Sequence, residues 1–440
     1  MTETVIKTGR VYEYDVVVTG AGPAGIVAAV AAARAGHKTC LLEQTAVAGG
    51  MGTSGLVNVI APYGDGERSY LGGLGREIIE RLVAAGGITD YADDGPYDPR
   101  TRRFVPFYGE TLKRVYDQLL TDSGVDLTLL CKVSAAARDG GRLDSLTAFD
   151  ADGPALYKAA VFIDTTGDAV LAALSGAKFL TDGAGELQAP TMMSLYTGID
   201  FDRYYEALGN GTIIEQAAQL AFERGDLPYI ERHIPGVMRL DKTGAVVNIG
   251  HVYGAECVSA QGLTAATLKG RELAGLFHAF YQKYIPGFEQ AVLMQTGSLL
   301  GVRETRRVRG VQVLTAADFV EKRVFENRIG ISNYPIDVHA ARDDKAAFDS
   351  FYSDYSETYT YKTGEYFSIP LGCLVADGLQ NLLVGGRCIS ADRKMQGSVR
   401  VMPTCWITGE AAGTAALCAG GTLDYKAVQA ALIKNGAVLD

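Results

Sequence analysis

Between Val16 and Glu43 the hydrophobic pattern changes period twice. Val16, Val17 and Val18 with Thr19 form a β-branched run bounded by Gly20, which predicts a short buried strand. An Ala-rich apolar run then continues to about Ala35, predicting a helix that Gly36 ends. "KTCLLE" predicts a second strand closing on Glu43. Farther on, "AAVFIDTTGDAVLAALSGA" predicts another buried strand, ending at Thr165, Thr166, Gly167 and Asp168 before a helical pattern. Toward the C-terminus "NLLVGG" predicts a strand ending at Gly385 and Gly386. The helix "CWITGEAAGTAALCAG" follows, with Pro403 suited to its first turn and Thr404 to its cap.

The middle of the chain reads differently. "GAVVNIGHVYG" is strand-like, and a long helical pattern runs from Thr264 to about Tyr284, stopped by Pro286 and Gly287. "VRGVQVLTAADF" reads as a strand followed by a helix cap. Taken as a strand, "GVRETRRVRG" puts Arg303, Thr305, Arg307 and Arg309 on one face and Glu304 and Arg306 on the other. The middle segment, residues 191–369, is thus set apart from the flanking residues 1–190 and 370–440.

Gly20, Gly22 and Gly25 form G-x-G-x-x-G between the first strand and the first helix. The first glycine permits the tight turn, the second lets a diphosphate approach the backbone, and the third lets helix and strand pack closely. The helix dipole and free N–H groups then hold the diphosphate. Glu43, 18 residues after Gly25, is placed to accept hydrogen bonds from a ribose. Strand, helix, second strand and terminal acid occur in order, which predicts dinucleotide binding. The small-residue loop "AVAGGMGTSGLVNV" suits a flat ring lying against backbone, and no second G-x-G-x-x-G supplies a nicotinamide domain. Both favour FAD over NAD.

Composition narrows the partners. With 41 basic and 51 acidic side chains the net charge is −10, which argues against nucleic acid or an anionic membrane surface. Seven scattered cysteines form no CxxC pair and no zinc or iron–sulfur spacing, so no metal is expected; they fit reduced thiols in the cytoplasm. The N-terminus has no signal-peptide pattern, and "IVAAVAAARAG" is too short to span a bilayer.

The stretches "GGMGTSGLV", "IDTTGD", "GVRETRRVRGVQVLTAADF", "YPIDVHAA" and "NLLVGGRCISADRKMQGSVRVMPTCWITGEAAGTAA" carry a resemblance over most of the chain. The chain resembles the bacterial FAD-dependent oxidoreductases, two-domain flavoproteins related to glutathione reductase and fumarate reductase. The resemblance implies an α/β fold: a discontinuous Rossmann-like FAD-binding domain, and an α+β substrate or cap domain with a mixed sheet. It also implies cofactor contacts at Gly20, Gly22, Pro23, Ala24, Gly25 and Glu43, at Gly50, Met51, Gly52 and Thr53, at Val133, at Thr166, Gly167 and Asp168, and at Gly386, Arg387, Arg400, Met402 and Thr404. The FAD is expected to be non-covalent, because no histidine sits in the "TAVAGG" loop.

Catalytic candidates are His339, Arg303 and Tyr366. Imidazole titrates near neutrality, which suits a proton transfer coupled to hydride transfer. Arg303 or Arg307 offers a fixed charge for an anion, against the plainer reading of a joining strand with surface salt bridges. Tyr366 belongs to a tyrosine-dense stretch with Tyr352, Tyr355, Tyr359 and Tyr361. His251 is a weaker candidate, and Cys388 and Cys405 are read as structural thiols. In the cationic stretch from Gly385 to Cys405, Arg387 and Arg400 are expected to face cofactor or substrate, with Arg393 and Lys394 as readily solvated.

The expected activity is hydride transfer between a small organic substrate and flavin N5, in either direction, with an unidentified electron acceptor or donor. A flavin monooxygenase lacks its G-x-W-x-x-I-P signature here, and a flavin-dependent RNA-modifying enzyme conflicts with the acidic charge. A non-enzymatic flavin protein is the remaining alternative. The oligomeric state is left open.

Overall fold

The computed structural model describes residues 9–89, 98, 100, 103–181, 187–211, 213–231, 234, 236–344, 360–416 and 423–440. Its centre is a seven-stranded sheet. Strand Val11–Thr19 pairs in parallel with Thr39–Leu42 on one side and Gly153–Asp164 on the other. Asp126–Thr128 extends the sheet beyond Thr39–Leu42. Leu382–Val384, from far along the chain, pairs in parallel with the last residues of Gly153–Asp164. Arg142–Asp150 and Lys132–Asp139 continue the same sheet in antiparallel register. Val16 to Thr19 and Thr39 to Leu42 are buried on both faces, the usual condition of parallel strands.

Helix Pro23–Arg34 covers this sheet and is crossed by helix Met402–Ala415, which is almost wholly buried. A Cβ on Gly409 would lie 2.1 Å from Ala24 O, and one on Gly413 would lie 2.1 Å from Ala28 O. The two backbones therefore meet without intervening side chains. Glycine in a helix interior costs about 1 kcal/mol relative to alanine, and the close contact of two buried helices offsets that cost.

A second, four-stranded sheet orders Val237–Arg239, Ala245–Val247, Ser194–Thr197 and Val292–Thr296, antiparallel throughout. The expected mixing of parallel and antiparallel pairs is thus found in the seven-stranded sheet, not in this one. Helix Ala260–Tyr284 lies against it, started by Ser259, whose side chain accepts from Gly262 N. Met192, Tyr196, Phe277, Tyr281 and Phe288 form its core. Val308, Leu314, Phe319, Ile336 and Phe367 pack instead with the seven-stranded sheet's core, although they fall within the 191–369 segment.

Two local readings are corrected. "GVRETRRVRG" is not a strand: only isolated bridges flank or enter it, Thr191 with Gly301, Phe179 with Val308 and Gly310 with Ala376. Arg303, Glu304 and Arg307 are buried with fixed partners, and no continuous ladder forms. Thr404 lies inside its helix, whose N-cap is Val401 and receives no side-chain bond. Before it, Arg393–Val399 is a separate helix, started by Asp392, which accepts from Met395 N at 2.7 Å. Among the described residues no helix is long and apolar enough to cross a membrane.

Candidate active site

The three glycines of the first turn have unequal tasks. Gly20 has φ +89°, and a Cβ there would lie 2.7 Å from Thr166 Cα. A Cβ on Gly25 would lie 1.8 Å from Gly20 O and 2.5 Å from Thr165 Oγ1. These two are demanded by protein packing. A Cβ on Gly22 would meet nothing nearer than Thr165 O at 4.0 Å. Gly22 is also the N-cap of helix Pro23–Arg34, and no side chain caps it. Open space beside uncapped N–H groups is what a diphosphate needs. The buried carboxylate of Glu43 accepts from Ala21 N at 2.7 Å and from Thr45 N at 2.8 Å. Each oxygen keeps a lone pair for a further donor such as a ribose hydroxyl.

Two more segments converge on this turn. Gly49 N donates to Ala21 O at 2.7 Å, and Thr53 Oγ1 donates to Ala48 O at 2.9 Å, closing the small-residue loop. A Cβ on Gly50 would lie 3.2 Å from Gly22 Cα, and one on Gly52 would lie 2.9 Å from Met402 Sδ. Met51 O accepts from Val57 N at 2.9 Å. Gly386, with φ +79°, has Ala24 Cβ 3.1 Å from where its own would be, and its N–H donates to Thr408 Oγ1 at 3.1 Å. Thr404 is buried, and its carbonyl accepts from Thr408 Oγ1 at 3.0 Å. Val133 is a buried core residue two positions beyond Cys131, whose N–H donates to Glu43 O at 2.8 Å.

The "IDTTGD" turn is held both by its own side chains and by neighbouring segments. Thr165 Oγ1 donates to Thr19 O and Gly20 O, both at 2.8 Å, and Thr166 Oγ1 donates to Asp164 Oδ1 at 2.7 Å. Arg387 Nε donates to Gly167 O at 3.0 Å, and its Nη2 reaches Asp168 Oδ1 at 2.6 Å. Asp168 also accepts from Thr305 Oγ1 at 2.8 Å. Arg387 thus ties the turn to the C-terminal segment through a mostly buried ion pair.

The second cluster is a buried chain of ionisable groups. Glu231 Oε1 lies 3.1 Å from His251 Nδ1, and His251 Nε2 lies 3.0 Å from His339 Nδ1. His339 Nε2 is 3.4 Å from Asp337 Oδ1, and Asp337 Oδ2 is 3.3 Å from Arg400 Nη2. Tyr229 and Tyr253 donate to Glu231 as well. Burial, then the Arg303 guanidinium, pushes the His339 imidazole well below its usual value, with Asp337 opposing. Burial pushes the Asp337 carboxyl up, but His339, Arg400 and Arg303 together hold it well below the usual range.

Arg303 stands beside this chain. Its Nη1 donates to Ala189 O at 2.6 Å and to Thr191 Oγ1 at 2.7 Å. Gln396 Nε2 donates to Arg303 O at 2.8 Å, Gln188 Nε2 donates to Gln396 Oε1 at 3.0 Å, and His339 N donates to Gln188 Oε1 at 3.0 Å. Two glutamines therefore fix Arg303 and His339 on one scaffold. The surface-strand reading of this run is overturned, because Arg303, Glu304 and Arg307 are all buried. Arg307 lies 3.4 Å from Glu304, and Arg393 lies 3.6 Å from it on the other oxygen. Arg393 and Lys394 are half-buried instead of solvated.

The structure brings His339, Arg303 and Arg400 together, and sets Arg387 at the glycine turns. Tyr366 sits in a different cluster, edge-on to Tyr70 at 5.7 Å with Arg68 over its ring. Tyr352, Tyr355 and Tyr359 lie outside the described residues, as does Cys418. The other six cysteines are buried and unbridged, and burial pushes the Cys405 thiol up to about 12. Sequence reasoning missed Glu231, Gln188 and Gln396, which lie in no motif. It undervalued His251, and passed over Asp337 two positions before His339.

The family described as FAD dependent oxidoreductase matches residues 15–435. Digeranylgeranylglycerophospholipid reductase 2 of Methanopyrus kandleri is 32% identical over 169 residues, 35% of this chain and 38% of that protein. The match thus spans well under half of that relative's length. A geranylgeranyl bacteriochlorophyll reductase-like protein from Thermoplasma acidophilum aligns over 96% of this chain and 84% of its own, at 13% identity and TM-score 0.48. p-Nitrophenol 4-monooxygenase of Pseudomonas putida aligns over 69% of this chain and 71% of its own, at 14% identity and TM-score 0.42.

Proposed function

This chain belongs to the family of FAD dependent oxidoreductases, and from that premise we propose that it moves a hydride between a small organic substrate and FAD, with His339 handling the accompanying proton. The observation that carries this reading is the convergence of glycines from three distant segments, Gly22, Gly50 and Gly386, on one uncapped helix start. The donor set there fits FAD: N–H groups of the Gly22–Ala24 turn for the diphosphate, and Glu43 for a ribose. The loop Gly50–Thr53, Met402 and the start of helix Met402–Ala415 form the bed for the ring. FAD, when bound, supplies two-electron chemistry that no side chain can perform.

The chain's own residues do the rest. Glu231 claims a proton on His251 Nδ1, so His251 Nε2 accepts from His339 Nδ1–H. His339 Nε2 is left with its lone pair beside Asp337, ready to take a proton from a substrate O–H or N–H. Asp337 stabilises the imidazolium so formed, and in the reverse direction the same nitrogen returns the proton. Arg400 holds Asp337 in place by donating to both its carbonyl and its carboxylate.

FAD is held without a covalent bond, and the protein acts in the cytoplasm, where its buried, unbridged cysteines stay reduced. The test is an anaerobic screen of metabolites for bleaching of the yellow protein, repeated with His339→Ala. Bleaching that is lost in a variant with full flavin content supports the reading. A protein that binds no FAD sinks it.

A further inference from the structure

Each buried carboxylate around His339 already has a cationic or imidazole neighbour. Glu304 has Arg307 and Arg393, Asp337 has Arg400 and His339, and Glu231 has His251. Arg303 is different. It is only 7% exposed, yet its hydrogen bonds go to neutral oxygens: Ala189 O, Thr191 Oγ1 and, at 3.5 Å, Asn248 Oδ1. Among the described residues it forms no salt bridge. Burial first, and then repulsion from Arg400, pushes its guanidinium down to about 9, with Asp337 and Glu231 opposing from beyond hydrogen-bond reach. Arg400, in turn, has a buried Nε with no hydrogen-bond partner.

A guanidinium removed from water without an anion in contact is held at a cost, because its lost hydration is only partly replaced by the more distant charges of Asp337 and Glu231. Here the cost is kept in place by a dedicated support. Gln396 fixes the backbone of Arg303, and Gln188 links that glutamine to the backbone of His339. Arg303, Arg400 and the His339 ring therefore form one rigid set with two cations and the single shared carboxylate of Asp337. The missing partner is an anion, and the planar fork of arginine favours a carboxylate over a spherical ion.

We propose that Arg303, with Arg400 beside it, binds a carboxylate carried by the substrate, so that the enzyme acts on organic acids. The proposal rests on the hydride-transfer reading above for its placement, and it deepens that reading by naming the substrate class. Carboxylate binding holds the acid next to His339 Nε2, so the proton-bearing group of the substrate lies within reach of the base. Arg303 thereby selects acids over their neutral amides and alcohols. It does not itself move a proton.

The experiment titrates the flavin-loaded protein with acetate and benzoate, with acetamide and benzamide as neutral controls of the same shape, and with sulfate. Binding is read from the visible flavin spectrum and, independently of the flavin, from the melting temperature. The expected result is that the carboxylates bind at least about tenfold more tightly than the amides, the worth of one charge-assisted pair. Arg303→Met should abolish that preference, Arg303→Lys should keep part of it, and Arg303→Met should melt higher than the parent when no anion is present. Equal binding of acids and amides, a preference that survives Arg303→Met, or binding of sulfate alone would each overturn the proposal. Flavin content of the same samples reports on the hydride-transfer reading separately: a colourless parent protein that still prefers carboxylates by melting temperature defeats that reading and leaves the anion site standing.

Discussion

His251 Nε2 and His339 Nδ1 lie 3.0 Å apart, so one of the two nitrogens must carry the proton between them. Glu231 flanks this pair at His251 Nδ1 and Asp337 flanks it at His339 Nε2, so in the proposed reaction the four groups pass the proton as one unit. Removing either outer group should disturb the proton-transfer step and spare the cofactor. His251→Ala is expected to lower kcat/KM by about 100-fold, within the range of a general acid–base contribution, with FAD content unchanged. A loss of FAD in step with activity would instead mark His251 as a structural residue.

The same cluster gives the pH profile a direction. Arg303 helps to push the His339 imidazole below its ordinary value, so at pH 7 the base is unprotonated. Activity in the substrate-oxidising direction should then fall only at acid pH, as the imidazole gains its proton. Arg303→Met removes one of the causes, and the acid limb of the kcat/KM profile should move to higher pH. An unmoved limb would separate Arg303 from His339.

Gly22 and Gly25 should respond differently to the same methyl group. Gly25→Ala drives a Cβ to 1.8 Å from Gly20 O, so the turn must open and the protein is expected to lose folding cooperativity. Gly22→Ala meets only Thr165 O at 4.0 Å, so circular dichroism and melting temperature should stay near the parent while FAD affinity falls. Measuring both quantities on both variants distinguishes a packing glycine from a ligand-facing one.

Glu410, inside the buried helix, accepts from Leu74 N at 3.1 Å, and burial pushes its carboxyl from 4.5 up to about 7. A folded-state value above the unfolded one means the folded protein holds the extra proton. Stability should therefore be highest below pH 4.5 for this group, decline as pH rises, and reach its full loss above pH 7. That loss is about 3 kcal/mol by linkage. Glu410→Gln should remove this slope, which urea unfolding at several pH values would reveal as a flatter curve.

Arg387 and Asp168 meet at 2.6 Å with most of both side chains buried. Asp168→Ala leaves the guanidinium without its carboxylate and is expected to cost about 3 kcal/mol. Adding Arg387→Leu should restore part of that loss. A double-mutant cycle by chemical denaturation measures the coupling, and a coupling near zero would mean the pair contributes no stability.

The first βαβ unit was legible because each part has a local signal: β-branched strand, glycine turn, alanine helix, and a terminal glutamate. The candidate catalytic cluster was only half legible. His339 lies in a recognisable stretch, but its partners come from Glu231, Gln188 and Gln396, which are ordinary polar residues until the fold brings them together. "GVRETRRVRG" misled for a related reason. Alternation of charge suggests a surface strand, whereas Arg303, Glu304 and Arg307 are buried and Glu304 pairs with Arg307 and the distant Arg393, which leaves no periodic trace. The cap of helix Met402–Ala415 failed on a smaller point, since Pro403 admits a start one residue earlier.

Leu382–Val384 pairs with Gly153–Asp164, and Gly409 and Gly413 seat against Ala24 and Ala28. A chain emerging from the ribosome makes its nucleotide turn early and must then wait for more than half its length to be synthesised before the covering strand and helix arrive. Until that moment the first helix has an exposed apolar face, because Gly409 and Gly413 are not yet there to meet Ala24 and Ala28. The first helix is thereby completed late, and a chain that stops before residue 382 lacks both the strand that extends the sheet and the helix that buries this face.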